Sequence, residues 1–129
     1  MQKIDIKTSS KEELVDITDR IQELVSSLSV DSGVCVVQIQ HTTAGITINE
    51  NADSDVKSDI IKGLKIFDRN DYRHGEGNSS AHIKASLMGS SIMVIVEGGE
   101  LQLGTWQGIM FCEFDGPRNR KILVKIMSN

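Results

Sequence analysis

Aromatic residues are scarce in this chain: one Trp, one Tyr and three Phe make up 4% of 129 residues. A core with so few rings must be aliphatic, built from Ile, Val, Leu and Met. A cationic surplus is also missing, because the formal net charge is −4 and Lys and Arg are scattered rather than striped. That argues against nucleic acid as a partner, since phosphate backbones are met by clustered basic residues. The longest apolar run, Ile92 to Val96, is only five residues, against about 20 for a bilayer-crossing helix. A membrane span is therefore not expected. The N-terminal Met-Gln-Lys-Ile-Asp has no apolar signal core, so the expected location is cytoplasmic. Cysteine is limited to Cys35 and Cys112, both inside strand-like runs and without Cys-x-x-Cys spacing. They are expected as reduced, buried thiols rather than a disulfide or a metal clip.

The 129 residues suit a single domain covering 1–129, large enough to fold without staples. Gln2 to Thr8 alternates apolar Ile4 and Ile6 with charged residues and predicts a half-buried strand. The next segment reads two ways. Ser10-Lys11-Glu12-Glu13 has the form of a capping box, and Leu14, Ile17, Ile21, Leu24 and Leu28 recur at helical spacing, giving one helix from Lys11 to Leu28. Alternatively, Glu13 to Ile17 is a strand, Thr18 an N-cap and Asp19 to Ser27 the helix. Val34 to Gln40 predicts a central strand buried on both faces, and Ile46 to Ile48 resumes strand spacing. From Ala52 to Phe67 the period turns helical, with Val56, Ile60, Leu64 and Phe67 on one stripe and Asn51 or Asp53 as cap. Asp68 to Asn78 reads as a polar loop with Gly75 and Gly77, and Ser80 to Met88 as a helix with Ile83 and Leu87 inward. Ser91 to Glu97, Thr105 to Phe114 and Lys121 to Met127 are further strands, with a hairpin signal at Gly98-Gly99. The order gives an α+β layout with mainly antiparallel sheets.

Polar chemistry concentrates between His41 and Asp55. A strand that ends in His41-Thr42-Thr43 and continues to Asn49-Glu50-Asn51 and Asp53 carries more hydrogen-bonding groups than packing requires. Each such group beside a buried strand costs about 1–3 kcal/mol if left unpartnered. The three histidines, His41, His74 and His82, all fall in such segments. Three neutral imidazoles suffice for a catalytic zinc with one open position; the alternative is three separate hydrogen-bonded histidines. Glu50, Asp53 and Glu76 would suit magnesium instead, and Asp53 also reads as a simple helix cap. Thr42 and Thr43 are phosphate donors or strand-edge groups. The Gly75 to Asn78 loop before a helix is a competent anion cradle. Arg118 and Arg120 either clamp a phosphate or flank a solvated turn, and Trp106 walls a pocket or fills the core.

Taken together, the segments resemble the YjbQ-like family, known as secondary thiamine-phosphate synthases. The matching pieces are His41-Thr42-Thr43-Ala44, Asn49-Glu50-Asn51 with Asp53, Tyr72-Arg73-His74 with Glu76-Gly77, His82-Ile83-Lys84, Gly104-Thr105-Trp106-Gln107-Gly108 and Gly116-Pro117-Arg118 with Arg120. The resemblance implies a β-sandwich of two curved, mainly antiparallel sheets with about three helices, assembled as a homotrimer. It favours the strand reading of Glu13 to Ile17. It further implies a pocket near a subunit boundary, with a divalent metal, zinc or magnesium, near His41, His74 and His82. The implied catalytic set is His41, Glu50, His74, Glu76 and His82. The implied binding set for a small phosphorylated substrate is Thr42, Thr43, Asn49, Asn51, Asp53, Gly77, Lys84, Thr105, Trp106, Gln107, Arg118 and Arg120. The implied reaction joins a pyrimidine diphosphate to a thiazole phosphate and releases pyrophosphate. A phosphorylated-metabolite binding protein and a metal-dependent hydrolase stand as alternatives. Two positions depart from the family pattern: Ser54 where many members have proline, and Ser79-Ser80 in a segment that often bears an acidic residue.

Overall fold

The computed structural model describes residues 1–129. The elements in chain order are β1 (Gln2–Lys7), β2 (Glu13–Asp16), α1 (Thr18–Ser27), β3 (Gly33–Ile39), β4 (Ala44–Glu50), α2 (Ser54–Leu64) and a 3-10 turn (Lys65–Phe67). They continue with α3 (Ser79–Met88), β5 (Ser91–Glu97), β6 (Glu100–Leu101), β7 (Gln107–Glu113) and β8 (Asn119–Ser128). Two sheets result, one of order β1-β8-β3-β5-β6 and one of order β2-β7-β4, and every strand pair is antiparallel. The α+β class and the two-sheet layout follow the expectation, with the two-residue β6 added.

The core lies between the sheets. Cys35, Val37 and Ile39 of β3, Val94 and Val96 of β5, and Ile122 and Val124 of β8 meet Ile46 of β4 and Ile109 and Phe111 of β7. Ile17, Ile21 and Val25 close one side from α1 and its approach. Phe111 is the single ring in this cluster, as the shortage of aromatics requires. Each fully buried aliphatic chain contributes about 1.5–3 kcal/mol. Both thiols are free and buried, and burial pushes them up to about 11 at Cys35 and about 12 at Cys112.

Several local expectations change once the layers are in place. The segment after Ser10 forms a strand and then a helix, not one helix. Glu13 still reaches back, its Oε2 accepting from the Ser10 N–H at 2.6 Å, but this closes a turn into β2. Thr18 is the first residue of α1 rather than its cap, and its hydroxyl accepts from the Ile109 N–H at 2.9 Å. β3 is buried on one face only, with Val34 and Val36 half exposed on the other. The strand covered on both faces is β7, which lies between the large sheet and α3.

The helix over 79–88 also turns a different face inward. Ala81, Lys84 and Ala85 are buried, whereas Leu87 is 59% exposed. The reason is close approach: a Cβ on Gly45 of β4 would lie 2.9 Å from the Met88 Cβ and 3.0 Å from the Gly89 carbonyl oxygen. Only small side chains let the helix sit this near the sheet. At the other end of the molecule, Gly98 and Gly99 both have positive φ, 61° and 76°, which the two-residue hairpin joining β5 to β6 demands. The substitution Gly45→Ala is expected to lower unfolding free energy by about 1–3 kcal/mol through overpacking. Urea denaturation measures this, and an unchanged midpoint would show that α3 does not rest on the sheet as described.

Candidate functional site

β4 and β7 are paired so that Ala44 faces Glu113 at one end and Glu50 faces Gln107 at the other. Six residue steps of strand separate the two ends by roughly 20 Å. This spacing divides the candidate residues into two groups.

At the Ala44 end a cavity of about 460 Å³ opens, and none of its lining residues is hydrophobic. The strand end supplies His41, Thr42 and Thr43, the loop before α3 supplies His74 and Glu76, and α3 supplies His82. Arg118 and Arg120 line it from the turn before β8 and from β8 itself. All three histidines therefore converge, as do both arginines. The rings of His74 and His82 meet edge to face with centroids 5.6 Å apart, and His74 Nε2 lies 4.0 Å from Glu76 Oε1. Arg118 is held by Asp115, donating from Nε to its carbonyl oxygen at 2.9 Å and from Nη2 to Oδ2 at 3.2 Å. Asn78 donates to the same Asp115 carboxylate at 3.0 Å, while its own Oδ1 is buried without a partner.

Beneath the cavity lies a buried ion pair. Glu113 is fully buried and Arg120 is 2% exposed. Glu113 Oε1 accepts from Arg120 Nε at 2.9 Å and from the Thr8 hydroxyl at 2.8 Å. Its Oε2 accepts from Arg120 Nη2 and from the Asp115 N–H. Arg120 Nη2 also donates to the Thr43 hydroxyl at 2.9 Å. Burial works to raise the Glu113 pKa, but the hydrogen bonds from Arg120, Thr8 and Asp115 and the guanidinium charge outweigh it, so the carboxyl stays below its usual range. Arg120, expected as a phosphate ligand, thus spends its Nε and Nη2 donors inside the protein, and the Thr43 hydroxyl oxygen, expected to meet the same anion, accepts one of them.

His41 has a defined role in this arrangement. Its Nε2 accepts a hydrogen bond from the Lys121 N–H at 3.0 Å. An imidazolium has no lone pair with which to accept, so the bond belongs to the neutral ring with its proton on Nδ1. Burial and the Arg120 charge, joined by Arg118, lower the His41 pKa, and Glu113 opposes them. These features bear on a shared metal. No group of three or more His, Cys, Asp or Glu side chains in the chain is gathered to hold an ion. The Nδ1–H form of His41 offers no free lone pair, and two guanidinium groups line the same cavity. The donor set of a single chain does not fit a divalent cation.

The remaining candidates lie elsewhere. Asn49, Glu50, Asn51 and Asp53 sit at the far end of β4 with Thr105, Trp106 and Gln107, not in the cavity. Their polar groups are used locally. Asn49 Oδ1 accepts from the Glu50 N–H, Glu50 Oε2 from the Ala52 N–H, and Asp53 Oδ1 caps α2 through the Asp55 N–H. Asn51 donates to Asp16 and to the Trp106 carbonyl, and Gln107 Oε1 closes the Gly104 turn. Trp106 is 64% exposed, so it neither walls the histidine cavity nor fills the core.

Lys84 is fully buried and binds Glu12 Oε2 at 2.7 Å and Asp68 Oδ1 at 2.8 Å. Burial alone would lower its pKa, yet the two carboxylates raise it overall. The ammonium is thereby committed to tying β2 and the end of the 3-10 turn to α3, beside a second polar cavity of about 790 Å³ that Gly77 also lines. Sequence reasoning missed Glu113, although a lone carboxylate within Ile109-Met110-Phe111-Cys112-Glu113-Phe114, seven positions before an arginine, signals a buried pair.

Glu113 makes stability depend on pH in a defined sense. Its folded pKa lies below the unfolded value, so its contribution is fully present above the unfolded pKa and is lost as pH falls through the folded one. Urea midpoints taken from about pH 6 down to about pH 3 should fall, and less steeply in Glu113→Gln than in the wild type. Parallel slopes would remove Glu113 from the acid response.

A family model described as UPF0047 protein YjbQ-like matches residues 2–129. UPF0047 protein MJ1081 of Methanocaldococcus jannaschii is 54% identical over 129 residues, spanning 98% of this chain and 94% of its own. UPF0047 protein YugU of Bacillus subtilis is 48% identical over 127 residues, 96% of each chain. Among solved structures, an uncharacterized conserved protein of the same family from Clostridium acetobutylicum superposes with a TM-score of 0.96 at 55% identity, covering 98% of this chain and 100% of that one. The hypothetical protein APE1520 of Aeropyrum pernix K1 gives 0.94 at 31% identity, covering 99% and 98%.

Proposed function

Because the chain belongs to the UPF0047 YjbQ-like family, whose resemblance carries an expectation of phosphate-ester chemistry, we propose that it binds a small phosphorylated molecule in the histidine cavity and transfers a proton there. One observation carries this reading. The cavity brings three imidazoles and two guanidinium groups together without a single hydrophobic wall. Guanidinium groups match phosphoryl oxygens in charge and geometry, and imidazoles titrate near neutrality, where acid and base catalysis is most effective. His74, His82 and Glu76 are the proton-transfer candidates, whereas Arg118, Arg120 and Thr42 face the anion.

Within this reading the coupling of hydroxymethylpyrimidine diphosphate to thiazole phosphate is one candidate reaction. The arginines suit its departing diphosphate. The lining holds no aliphatic side chain and only imidazole rings for two heterocycles to pack on, which favours a smaller, more polar substrate over that pair. The working unit we propose is a cytoplasmic homotrimer. The free, buried thiols are consistent with a reducing compartment. Met93 and Ile95, 72% and 62% exposed on the outer face of the larger sheet beside half-buried Val34 and Val36, form apolar surface of the kind contacts between copies cover.

The test is to assay pyrophosphate release from the two-substrate mixture and to screen small phosphate esters for turnover, using the wild type, His82→Ala and Arg118→Ala. His82→Ala is expected to abolish turnover while ligand affinity changes by less than about tenfold, some 1.4 kcal/mol. Arg118→Ala should instead weaken binding. A protein that binds no phosphorylated compound would overturn the reading, and equal losses of binding and turnover in His82→Ala would favour a carrier.

A further inference from the structure

We propose that Glu113 is the positioning residue of an oxyanion subsite, in which it fixes Arg120 so that Nη1 and the Nδ1–H of His41 together receive a phosphoryl group. This rests on the function proposed above and divides its cavity into two working walls. The Arg120–His41 wall holds the anion, and the His74–His82 wall moves the proton.

The assignment starts from unequal use of the Arg120 fork. Nε and Nη2 are consumed by Glu113 and Thr43. Nη1 has no hydrogen-bond partner in the chain, although Arg120 is 2% exposed and lines the cavity. Nη1 is not among the buried polar atoms that lack a partner, so it meets the solvent of the cavity, where an acceptor atom of a ligand can take the place of water.

Glu113 determines which edge is left over. Its carboxylate receives four donors, two from Arg120, one from Thr8 and one from the Asp115 backbone. So held, it grips the guanidinium side-on and excludes rotamers that would withdraw Nη1. The adjacent residue on β8 then sets the second donor. Lys121 occupies His41 Nε2 through its backbone N–H, so the imidazole can address a ligand only as an Nδ1–H donor. Both donors are thus set by the first turns of one strand, Arg120 through its side chain and Lys121 through its main chain. Two fixed donors, one of them cationic, match the edge of a tetrahedral oxyanion. A neutral His41 also makes a poor general base, because its free lone pair is already used.

The test uses inorganic phosphate and the full chain. Long-range 1H–15N NMR at neutral pH should find His41 in the Nδ1–H tautomer, and phosphate should shift the His41 ring and Arg120 guanidinium signals. Glu113→Gln keeps the side-chain volume but removes the charge. It is expected to weaken phosphate binding at least tenfold and to lower the His41 titration midpoint, because the Glu113 charge opposes the arginines there. Glu113→Asp, which retains the carboxylate, should restore part of the affinity. An Nε2–H tautomer at His41 overturns the assignment, as does a folded Glu113→Gln that binds phosphate like the wild type. In the latter case the proposed function stands without it. A wild type that binds no phosphate and shows no shift at either group overturns both. If Glu113→Gln does not fold, the wild-type tautomer and phosphate-induced shifts decide.

Discussion

The buried Glu113–Arg120 pair is the constraint on which the rest of the arrangement depends. Two charges removed from water require nearly complete hydrogen bonding, and removing one partner from such a pair typically costs about 3–5 kcal/mol. Here the donors come from distant parts of the chain: Thr8 after β1, Arg120 on β8 and the Asp115 backbone after β7. Arg120 in turn reaches Thr43 at the start of β4. Satisfying one carboxylate therefore brings together ends of both sheets. It also closes the core, since Glu113 follows Ile109 and Phe111 on the inward face of β7 and is the point where apolar packing gives way to polar cavity.

A second buried charge does similar work on the other side of α3. Lys84 draws Glu12 and Asp68 onto the helix, and Asp68 begins the loop that carries His74 and Glu76. The loop itself has little apolar anchoring, because α2 contains no fully buried residue and Ile66 is 75% exposed. The salt bridges at one end and the Asn78–Asp115 hydrogen bond at the other hold it over the cavity. The cavity is thus framed by two ion networks, one in its floor and one behind its wall. Each includes a cation, Arg120 or Lys84, that a reading for ligand contacts assigns to substrate.

Much of the architecture was legible in the order of residues. Strand alternation in β1, the apolar run of β5, the Gly98-Gly99 turn and the Asp53 cap of α2 all depend on neighbours within a few positions. Local periodicity reports such features directly. The chemical potential of His41, His74 and His82 was legible for a different reason: each stands in a segment rich in polar groups, while their gathering in one pocket was implied by the family resemblance alone. Less visible was the inward face of α3. Its stripe of Ala81, Lys84 and Ala85 looks less hydrophobic than Ile83 and Leu87, and the choice depends on Gly45 permitting close approach and on carboxylates waiting for an ammonium.

The sequence by itself determined the aliphatic core, the α+β alternation, the family and the residues with chemical potential, because these rest on composition and short-range pattern. Only the tertiary structure decided which polar residues share a cavity. It separated Glu50 and Trp106 from the histidines by the length of β4, committed Lys84 to an internal ion triad, and placed Glu113 under Arg120. It also set His41 Nε2 against the Lys121 N–H. Those outcomes depend on strand register and on competition among distant groups for the same donors, and neither is written in the spacing of residues along the chain.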